Sequence, residues 1–447
     1  MSHPKFVVVG HPNKGKSSIV STLTLNDTIA ISPTPGTTKV ARSFYLKKGN
    51  KIYYELIDTP GFQRPRKLLK WLKSFGEVSA LDRPKLIEKF LSEKCSGDEF
   101  KDECELLKPI MENGAIIYVV DASKPYSSEY EYEMEILRYT AKPSLAILNY
   151  IGSEDYTKEW DAVLGQYFRI VKKFNPLNAN LDEHIDLLEA LSYVDIEHQK
   201  EIKEAIELLK EYNAQLKDEI AALISKYIKE QLQFKIVKSL TIFNNNEEAL
   251  KKEFKEKIEA KERKLFDNIK RVLNFTKKDF KVDAKELNYN IFSQKSQEIF
   301  GLKKEKLVLL STISLATVGG AIDLAVGGHS FFLGSLIGAG IGFASAMYGY
   351  DEISKIKFIS SQSVQIGPVE DINFGFILLN RAVTYANALL QTSHANQNEI
   401  EIKLNSDDTK LKTLQKLNTL HKKFKEGKDK EEDLQNYKEI VKELLLK

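Results

Sequence analysis

The segment that most limits the fold of this chain is a glycine-rich loop near its beginning, which directly follows the apolar run Phe6–Val9. The loop reads Gly10-His11-Pro12-Asn13-Lys14-Gly15-Lys16-Ser17, or G-x-x-x-x-G-K-S. In this pattern the glycines let backbone N–H groups curl around a β-phosphate, Lys16 reaches the β- and γ-oxygens, and the Ser17 hydroxyl can ligate Mg²⁺. A helix beginning near Lys16 would add its positive dipole end to the same anion. The sequence therefore predicts a buried strand, a phosphate-binding loop and a helix, in that order.

Short apolar runs alternate with helical patterns through about residue 195. The runs with strand length and flanking turn residues are Phe6–Val9, Ile52–Ile57, Ala115–Val120 and Ser144–Asn149. This alternation is typical of an α/β fold with a mostly parallel sheet and helices on both faces. A chain of 447 residues is too long for a single core. We therefore predict an α/β P-loop domain over residues 1–194 and a mainly α-helical domain over residues 195–447.

A second motif, Asp58-Thr59-Pro60-Gly61, follows a predicted strand. Asp58 can hold Mg²⁺ through water, and the Gly61 N–H can meet a γ-phosphate. Residues 32–39 lie between the two motifs and form a loop rich in residues that favour turns. Its Thr38, which we prefer over Thr37, is predicted to close onto Mg²⁺ and the γ-phosphate.

Together, P-x-N-x-G-K-S-S, P-G-T-T and D-T-P-G resemble the Era, EngA and TrmE group of translation-factor-class GTPases, over roughly residues 5 to 193. The resemblance implies a G domain that binds GTP or GDP with Mg²⁺ and hydrolyses GTP as a molecular switch. The loop residues it places at the nucleotide are Gly10, Asn13, Lys14, Gly15, Lys16, Ser17 and Ser18. Its implied magnesium ligands are Ser17, Thr38 and Asp58, and the residues it places at the reacting phosphates are Asn13, Lys16, Thr38, Asp58 and Gly61.

The residue after D-T-P-G is Phe62, at the position where Ras-like proteins carry the glutamine that orients the attacking water. Phe62 cannot make that hydrogen bond, so hydrolysis needs another device. In the resembling GTPases, an asparagine at the position of Asn13 helps to hold a K⁺ ion against the phosphates. We therefore predict K⁺-stimulated hydrolysis. The alternative is that Asn13 only braces the loop.

The segment that would read the base departs from the pattern of the resembling GTPases. Their N-K-x-D appears here as Asn149-Tyr150-Ile151-Gly152, which keeps the asparagine but loses the lysine and the aspartate. Because loss of a buried acceptor weakens base discrimination, guanine preference is inferred from the resemblance alone. Asn149 and Tyr150 are still predicted to contact the nucleotide, with Tyr150 stacking on the base.

The segment between Asp58 and Ala115 is longer than a simple G domain needs, which indicates an insertion over about residues 62–112. Within it, Arg64–Lys73 predicts an amphipathic helix. This helix is either an effector or membrane-facing surface linked to switch II, or an ordinary helix packed on the sheet. Cys95 and Cys104 lack metal or redox spacing, so we expect reduced thiols in a cytosolic protein.

The chain from Asp195 to Leu302 predicts long amphipathic helices, and residues 409–447 predict a further helical run. Residues 307–350 are apolar and glycine-rich, with Asp323 as their only charged residue. Their two halves have nearly membrane-spanning length. They form either a hairpin that enters a bilayer or one packed among the long helices, with His329 as the candidate partner of Asp323.

Charge adds little to these predictions, because 66 basic and 63 acidic residues give a net charge of only +3. No dedicated nucleic-acid motif is present, and the chain lacks a signal-peptide pattern, which predicts a cytoplasmic location. Attachment to the inner membrane and homodimer formation stay open. The leading hypothesis is a GTP-hydrolysing switch whose helical domain engages a membrane or a partner. The alternatives are a dynamin-like, membrane-associated mechanochemical GTPase and a nucleotide-binding module with little or no hydrolysis.

Overall fold

The structure is a computed structural model, which describes residues 3–23, 40–150, 154–175, 181–244, 246–274, 287–303, 306–307, 310, 355–391 and 411–445. Its described helices and strands are, in chain order, β1 (Lys5–Gly10), α1 (Lys16–Leu23), β2 (Arg42–Lys48), β3 (Lys51–Asp58), α2 (Pro65–Lys73), α3 (Arg83–Lys94), α4 (Lys101–Met111), β4 (Gly114–Asp121), α5 (Glu129–Thr140), β5 (Ser144–Asn149), α6 (Thr157–Leu164), β6 (Val171–Phe174), α7 (Leu181–Val194), α8 (Gln199–Leu232), β7 (Ile236–Ser239), α9 (Leu240–Phe243), α10 (Glu247–Val272), α11 (Gln294–Phe300), β8 (Ile356–Ser360), β9 (Ser363–Ile366), α12 (Ile372–Leu390), α13 (Leu411–Glu426) and α14 (Glu431–Leu444). Every strand predicted in the first part of the chain is confirmed within one residue at each end.

The chain divides into two compact units, residues 1–214 with 391–398, and residues 215–390 with 399–447. The division falls within the long helix α8. The boundary at residue 194 stays a prediction.

The first unit is built on a six-stranded sheet with the order β2-β3-β1-β4-β5-β6. All neighbouring strands are parallel except β2 and β3, which form an antiparallel pair at one edge. Apolar cores cover both faces, and every residue of the central strand β4 is buried. The α/β prediction is confirmed. Because the carboxyl ends of parallel strands share one edge, the ends of β1, β3, β4 and β5 lie together there.

Three helices, α2 to α4, fill the insertion between β3 and β4. The predicted amphipathic helix is confirmed as α2, which packs against α5 and buries Leu68, Leu69 and Leu72. Its apolar side is therefore used for packing within the unit.

The expectation that the cysteines are reduced is wrong, because Cys95 and Cys104 form a disulfide. Cys95 ends α3 and Cys104 lies in the first turns of α4, so the connection between the two helices places their Cα atoms 5.8 Å apart. That distance is normal for a disulfide. Sequence spacing could not reveal the pair, because the distance depends on how the two helices fold back on each other.

The second unit has one large core, to which α8, α10, α12, α13 and α14 contribute. The long helices α8 and α10 and the helical carboxyl-terminal run are confirmed as predicted. The small sheet β7-β9-β8 was not predicted, since apolar runs of four or five residues do not distinguish strand from helix.

Among the described residues, no helix is long and apolar enough to span a membrane. Of the predicted hairpin 307–350, only Leu307 and Leu310 belong to the described residues. Asp323 and His329 lie outside them, so neither interpretation of the hairpin is tested.

Candidate nucleotide-phosphate site

The loop of residues 10–17, here called the P-loop, connects β1 to α1 and contains the backbone conformations that its sequence favours. Gly10, Asn13 and Gly15 have φ angles of +144°, +60° and +84°. A side chain at Gly10 would lie 2.4 Å from the Val119 carbonyl oxygen, so the loop can pass over β4 only with glycine there. Asparagine tolerates the left-handed region better than most residues. The predicted strand, loop and helix are confirmed.

Lys16 begins α1 and folds its side chain back into the P-loop. Its Nζ donates to the carbonyl oxygens of His11, at 2.9 Å, and Gly10, at 3.3 Å. Burial lowers the pKa of this ammonium to about 8, although the nearby carboxylates of Asp58 and Glu133 favour the charged form. A buried ammonium on backbone carbonyls is well placed to exchange those weak acceptors for phosphate oxygens.

Ser17 and Asp58 are brought together as the sequence predicts. Ser17 lies in the first turn of α1 and Asp58 ends β3, and the Ser17 Oγ donates to the Asp58 Oδ2 at 2.8 Å. Hydroxyl and carboxylate oxygens are the hard donors that Mg²⁺ prefers, so this pair beside a phosphate loop fits that ion. Thr38, the third predicted ligand, lies outside the described residues.

Residues 58–64, here called the switch II turn, lie directly on the P-loop. Thr59 Oγ1 donates to the Val8 carbonyl at 2.7 Å, and the Phe62 N–H donates to the Gly10 carbonyl at 3.3 Å. A side chain at Gly61 would lie 2.5 Å from the Pro12 nitrogen, so only glycine allows this approach. The Phe62 side chain is buried in the core beneath, where it cannot orient a water.

Asn149 reaches the P-loop from the end of β5. Its Nδ2 donates to the Lys14 carbonyl at 2.8 Å, and the side chain is fully buried. The Asn149 Oδ1 has no hydrogen-bond partner within the described part of the chain. Tyr150 points its hydroxyl at Thr157, the first residue of α6, and at Asp155, which precedes the helix. The predicted stacking of Tyr150 on a base stays a prediction.

Sequence reasoning missed two acidic partners of the P-loop. Glu133, fully buried on α5, has its Oε1 2.8 Å from the His11 Nδ1 and accepts a hydrogen bond from the Tyr118 hydroxyl at 2.9 Å, and burial raises its pKa. Asp121, at the end of β4, lies 3.8 Å from the Lys14 Nζ. The sequence contains signals that could have identified both residues. Glu133 interrupts the apolar face of its helix, and Asp121 ends a buried strand just as Asp58 does.

Two family models match the chain. Residues 5–150 match a family described as 50S ribosome-binding GTPase, and residues 162–446 match a family described as a domain of unknown function, DUF3482. The second match covers more than half of the chain. Similarity to individual known proteins extends over much less of the chain. GTPase Der of Azoarcus sp. strain BH72 is 36% identical over 78 residues, which are 17% of this chain and 17% of that protein. GTPase Der of Nitrosospira multiformis is 39% identical over 80 residues, 18% of this chain and 17% of that protein.

Among solved structures, a variant of Era from Aquifex aeolicus bound to GDP and aluminium fluoride is 20% identical, with a TM-score of 0.29. The similarity covers 43% of this chain and 57% of that chain. Era in complex with MgGDPNP and a fragment of 16S ribosomal RNA is also 20% identical, with a TM-score of 0.28 and the same coverage. The chain thus spans less than a fifth of the Der relatives and little more than half of each Era chain.

The order of P-loop, D-T-P-G turn and Asn149 along one sheet edge agrees with the GTPase match over residues 5–150. The match over residues 162–446, more than half of the chain, shows that the chain belongs to the DUF3482 family, and its first part carries a P-loop domain that matches the family described as 50S ribosome-binding GTPase.

Proposed function

We propose that this protein binds a guanine nucleotide with Mg²⁺ and hydrolyses GTP to GDP and phosphate, as a molecular switch. The observation that carries the proposal is the convergence at the P-loop of the Lys16 ammonium and the Ser17–Asp58 pair, whose oxygens lie 2.8 Å apart. A cation and two hard oxygen donors at a helix N-terminus match the charge and ligands of a magnesium nucleotide.

Each residue has a separate part in this proposal. Lys16 exchanges its carbonyl contacts for β- and γ-phosphate oxygens, and backbone N–H groups of the P-loop bind the β-phosphate. Ser17 and Asp58 would hold Mg²⁺, which supplies charge neutralisation at the phosphates when bound. The Gly61 N–H orients the γ-phosphate, and loss of that phosphate releases the switch II turn.

Phosphate release by the purified chain tests the proposal, with Lys16→Ala and Asp58→Ala as variants. We expect each to lower kcat/KM by at least about 100-fold, because each removes charge stabilisation of the reacting phosphates. Lys48→Ala, an exposed lysine on β2, is the control and should match the wild type. Nucleotide binding without phosphate release would favour the non-hydrolysing alternative. Phosphate release that persists in both variants would refute the assignment of this site.

Base preference needs its own measurement, because Asn149 is the only residue of N-K-x-D that the chain keeps. We expect the chain to prefer GTP in a competition of GTP, ATP and XTP for one fluorescent nucleotide. The Asn149→Ala variant should weaken binding of every nucleotide, because its amide braces Lys14 of the P-loop. Equal affinity for GTP and ATP would refute the guanine assignment while leaving phosphate binding intact.

K⁺ stimulation through Asn13 is part of the proposal, and it has a matched pair of variants. Asn13→Gly keeps access to the φ angle of +60° but removes the amide oxygen, whereas Asn13→Asp keeps an oxygen at that position. We expect hydrolysis to be faster in KCl than in NaCl for the wild type and for Asn13→Asp. Asn13→Gly should show equal rates in the two salts. Equal rates in the wild type would leave Asn13 only a bracing role.

The helical unit is proposed to engage a membrane or a protein partner according to the bound nucleotide, in a cytoplasmic protein. The support is the apolar composition of residues 307–350. Flotation of the whole chain with liposomes, in GDP and in a non-hydrolysable GTP analogue, separates the alternatives. Binding with nucleotide-dependent assembly favours the dynamin-like mechanism, and no binding in either state favours a protein partner. Light scattering in the same buffers measures whether the chain forms a homodimer.

A further inference from the structure

Helix α4 of the insertion sends a buried carboxylate to the backbone of the switch II turn. Glu103, only 1% exposed, accepts from the N–H of Gln63 at 2.9 Å and from the N–H of Arg64 at 2.5 Å, both on its Oε1. Hydrogen bonds to an ionised acceptor are stronger than neutral ones, and burial strengthens them further. One side chain thus fixes two consecutive peptide groups.

Those two peptide groups lie at a sensitive place in the chain. Gln63 and Arg64 follow Gly61 and Phe62 directly, and Arg64 is the residue from which α2 begins. The Arg64 side chain contributes no cap to its own helix, so the Glu103 carboxylate supplies the negative charge at this helix N-terminus. Glu103 therefore fixes both the exit of the switch II turn and the start of the following helix.

The entry of the same turn is fixed from the sheet. Thr59 Oγ1 bonds the Val8 carbonyl at 2.7 Å, and the Phe62 N–H bonds the Gly10 carbonyl at 3.3 Å. Gly61 lies between Thr59 and Phe62, and the two peptide groups bound by Glu103 follow Phe62 directly. The position of the Gly61 N–H, the group proposed to meet the γ-phosphate, is thus set from both sides.

Helix α4 is itself fixed by a disulfide and by buried side chains, so it can hold Glu103 in place. Cys104, the neighbour of Glu103, is bonded to Cys95, and Leu106, Leu107 and Ile110 are fully buried. The Arg64 Nη1 also donates to the Glu99 carbonyl at 2.6 Å, just before α4 begins. Helix α4, which carries Glu103, thus belongs to the insertion and not to the strands that carry the P-loop.

We infer that Glu103 is a positioning residue for hydrolysis, which holds the switch II turn so that the Gly61 N–H is preorganised for the γ-phosphate. The inference rests on the proposed function. Because GDP lacks the γ-phosphate, Glu103 acts on catalysis and leaves GDP binding unchanged. Preorganised donors contribute to catalysis only when their geometry is held before the reaction, and small displacements are costly.

The experiment compares the whole wild-type chain with Glu103→Ala, Glu103→Gln and a control, Asp102→Asn. Gln keeps an oxygen that can accept both N–H groups, whereas Ala keeps none. Asp102 lies beside Glu103 on the same turn and accepts neither of the two hydrogen bonds. Three quantities are measured: amide hydrogen exchange of the peptide containing Gln63 and Arg64, the affinity for fluorescent GDP, and kcat and KM for GTP.

We expect Glu103→Ala to raise amide exchange of that peptide at least about tenfold and to lower kcat about tenfold, with GDP affinity within twofold of wild type. Glu103→Gln should recover most of both losses, and Asp102→Asn should match the wild type. These five results together support the inference.

Other results separate its failure from failure of the proposed function. Faster exchange with unchanged kcat, or unchanged exchange, overturns the positioning role while GTP hydrolysis stands. Loss of GDP affinity together with kcat in Glu103→Ala shows a general structural role and also overturns it. Absence of hydrolysis in the wild type overturns the proposed function itself, and with it the catalytic role of Glu103, whatever the exchange data show.

Discussion

The two compact units use buried charge in different ways. In the first unit, Lys16 is buried, its hydrogen bonds to the described part of the chain go to uncharged carbonyl oxygens of the P-loop, and burial lowers its pKa to about 8. In the second unit, Arg381 is also buried, on α12, but all five of its guanidinium N–H groups donate. Two bonds go to Glu262, at 2.7 and 2.8 Å, and three to Tyr289 O, Leu287 O and Ser296 Oγ, at 2.9 to 3.0 Å.

The Lys16 charge is thus available for a ligand, whereas the Arg381 charge stabilises the fold. The Arg381–Glu262 pair connects α12 to α10 and to the backbone around residues 287–296, so its partners are already in place. Burial destabilises the charged form of Lys16, and an anionic phosphate bound beside it would stabilise that form. Incomplete pairing thus marks the functional site, whereas complete pairing marks a structural one.

The largest effect that would test this comparison is loss of the buried ion pair. Glu262→Gln keeps the shape of the side chain but leaves Arg381 without its counter-charge, so we expect the free energy of unfolding to fall by about 3–5 kcal/mol. Chemical denaturation of the whole chain measures it. Glu256→Gln, on the exposed side of the same helix, should change stability by no more than about 0.5 kcal/mol. Equal effects of the two variants would remove the structural role assigned to the pair.

A second prediction concerns one buried histidine in each unit. His184 lies 2.9 Å from the Tyr54 hydroxyl and His421 lies 2.8 Å from the Tyr437 hydroxyl, and burial lowers both pKa values to about 3. The folded state therefore favours the neutral ring. Its stabilising contribution is complete above the unfolded pKa of 6.5 and is lost as the pH falls toward 3.

Stability should accordingly fall by about 2 kcal/mol per histidine between neutral pH and pH 5. Thermal denaturation from pH 8 to pH 4 measures this loss in the wild type, in His184→Gln and in His421→Gln. Each variant should show a shallower pH dependence than the wild type, because glutamine does not titrate. A slope that neither substitution changes would mean that other groups cause the acid sensitivity.

The smallest effect is the pH dependence of nucleotide affinity. With a Lys16 pKa of about 8 in the free protein, bound phosphate favours the protonated ammonium. We expect affinity for GDP to be constant from pH 6 to 7.5 and then to fall, approaching tenfold per pH unit, or about 1.4 kcal/mol, well above pH 8. Fluorescence titration measures it. Lys16→Met should bind weakly at every pH without that bend, and a bend of equal size in this variant would assign the titration to another group.

Local sequence signals predicted much of the first unit. The P-loop, the D-T-P-G turn and Asn149 each carry their backbone requirements within a few residues, as the positive φ angles at Gly10, Asn13 and Gly15 show. Strand length and apolar composition likewise identified β1, β3, β4 and β5. The antiparallel edge strand β2 was missed, since only two of its seven residues are buried and it lacks a continuous apolar run.

The tertiary structure alone decided which distant residues support these motifs. Glu103 meets Arg64 across 39 residues, His11 meets Glu133 across 122, and Arg381 meets Glu262 across 119. The Cys95–Cys104 disulfide also depended on how α3 and α4 pack. The sequence by itself determined the nucleotide-phosphate motifs, because short-range backbone conformation and side-chain chemistry are local properties. Their partners were decided only by folding, because a pattern within one segment contains no information on which other segment will lie against it.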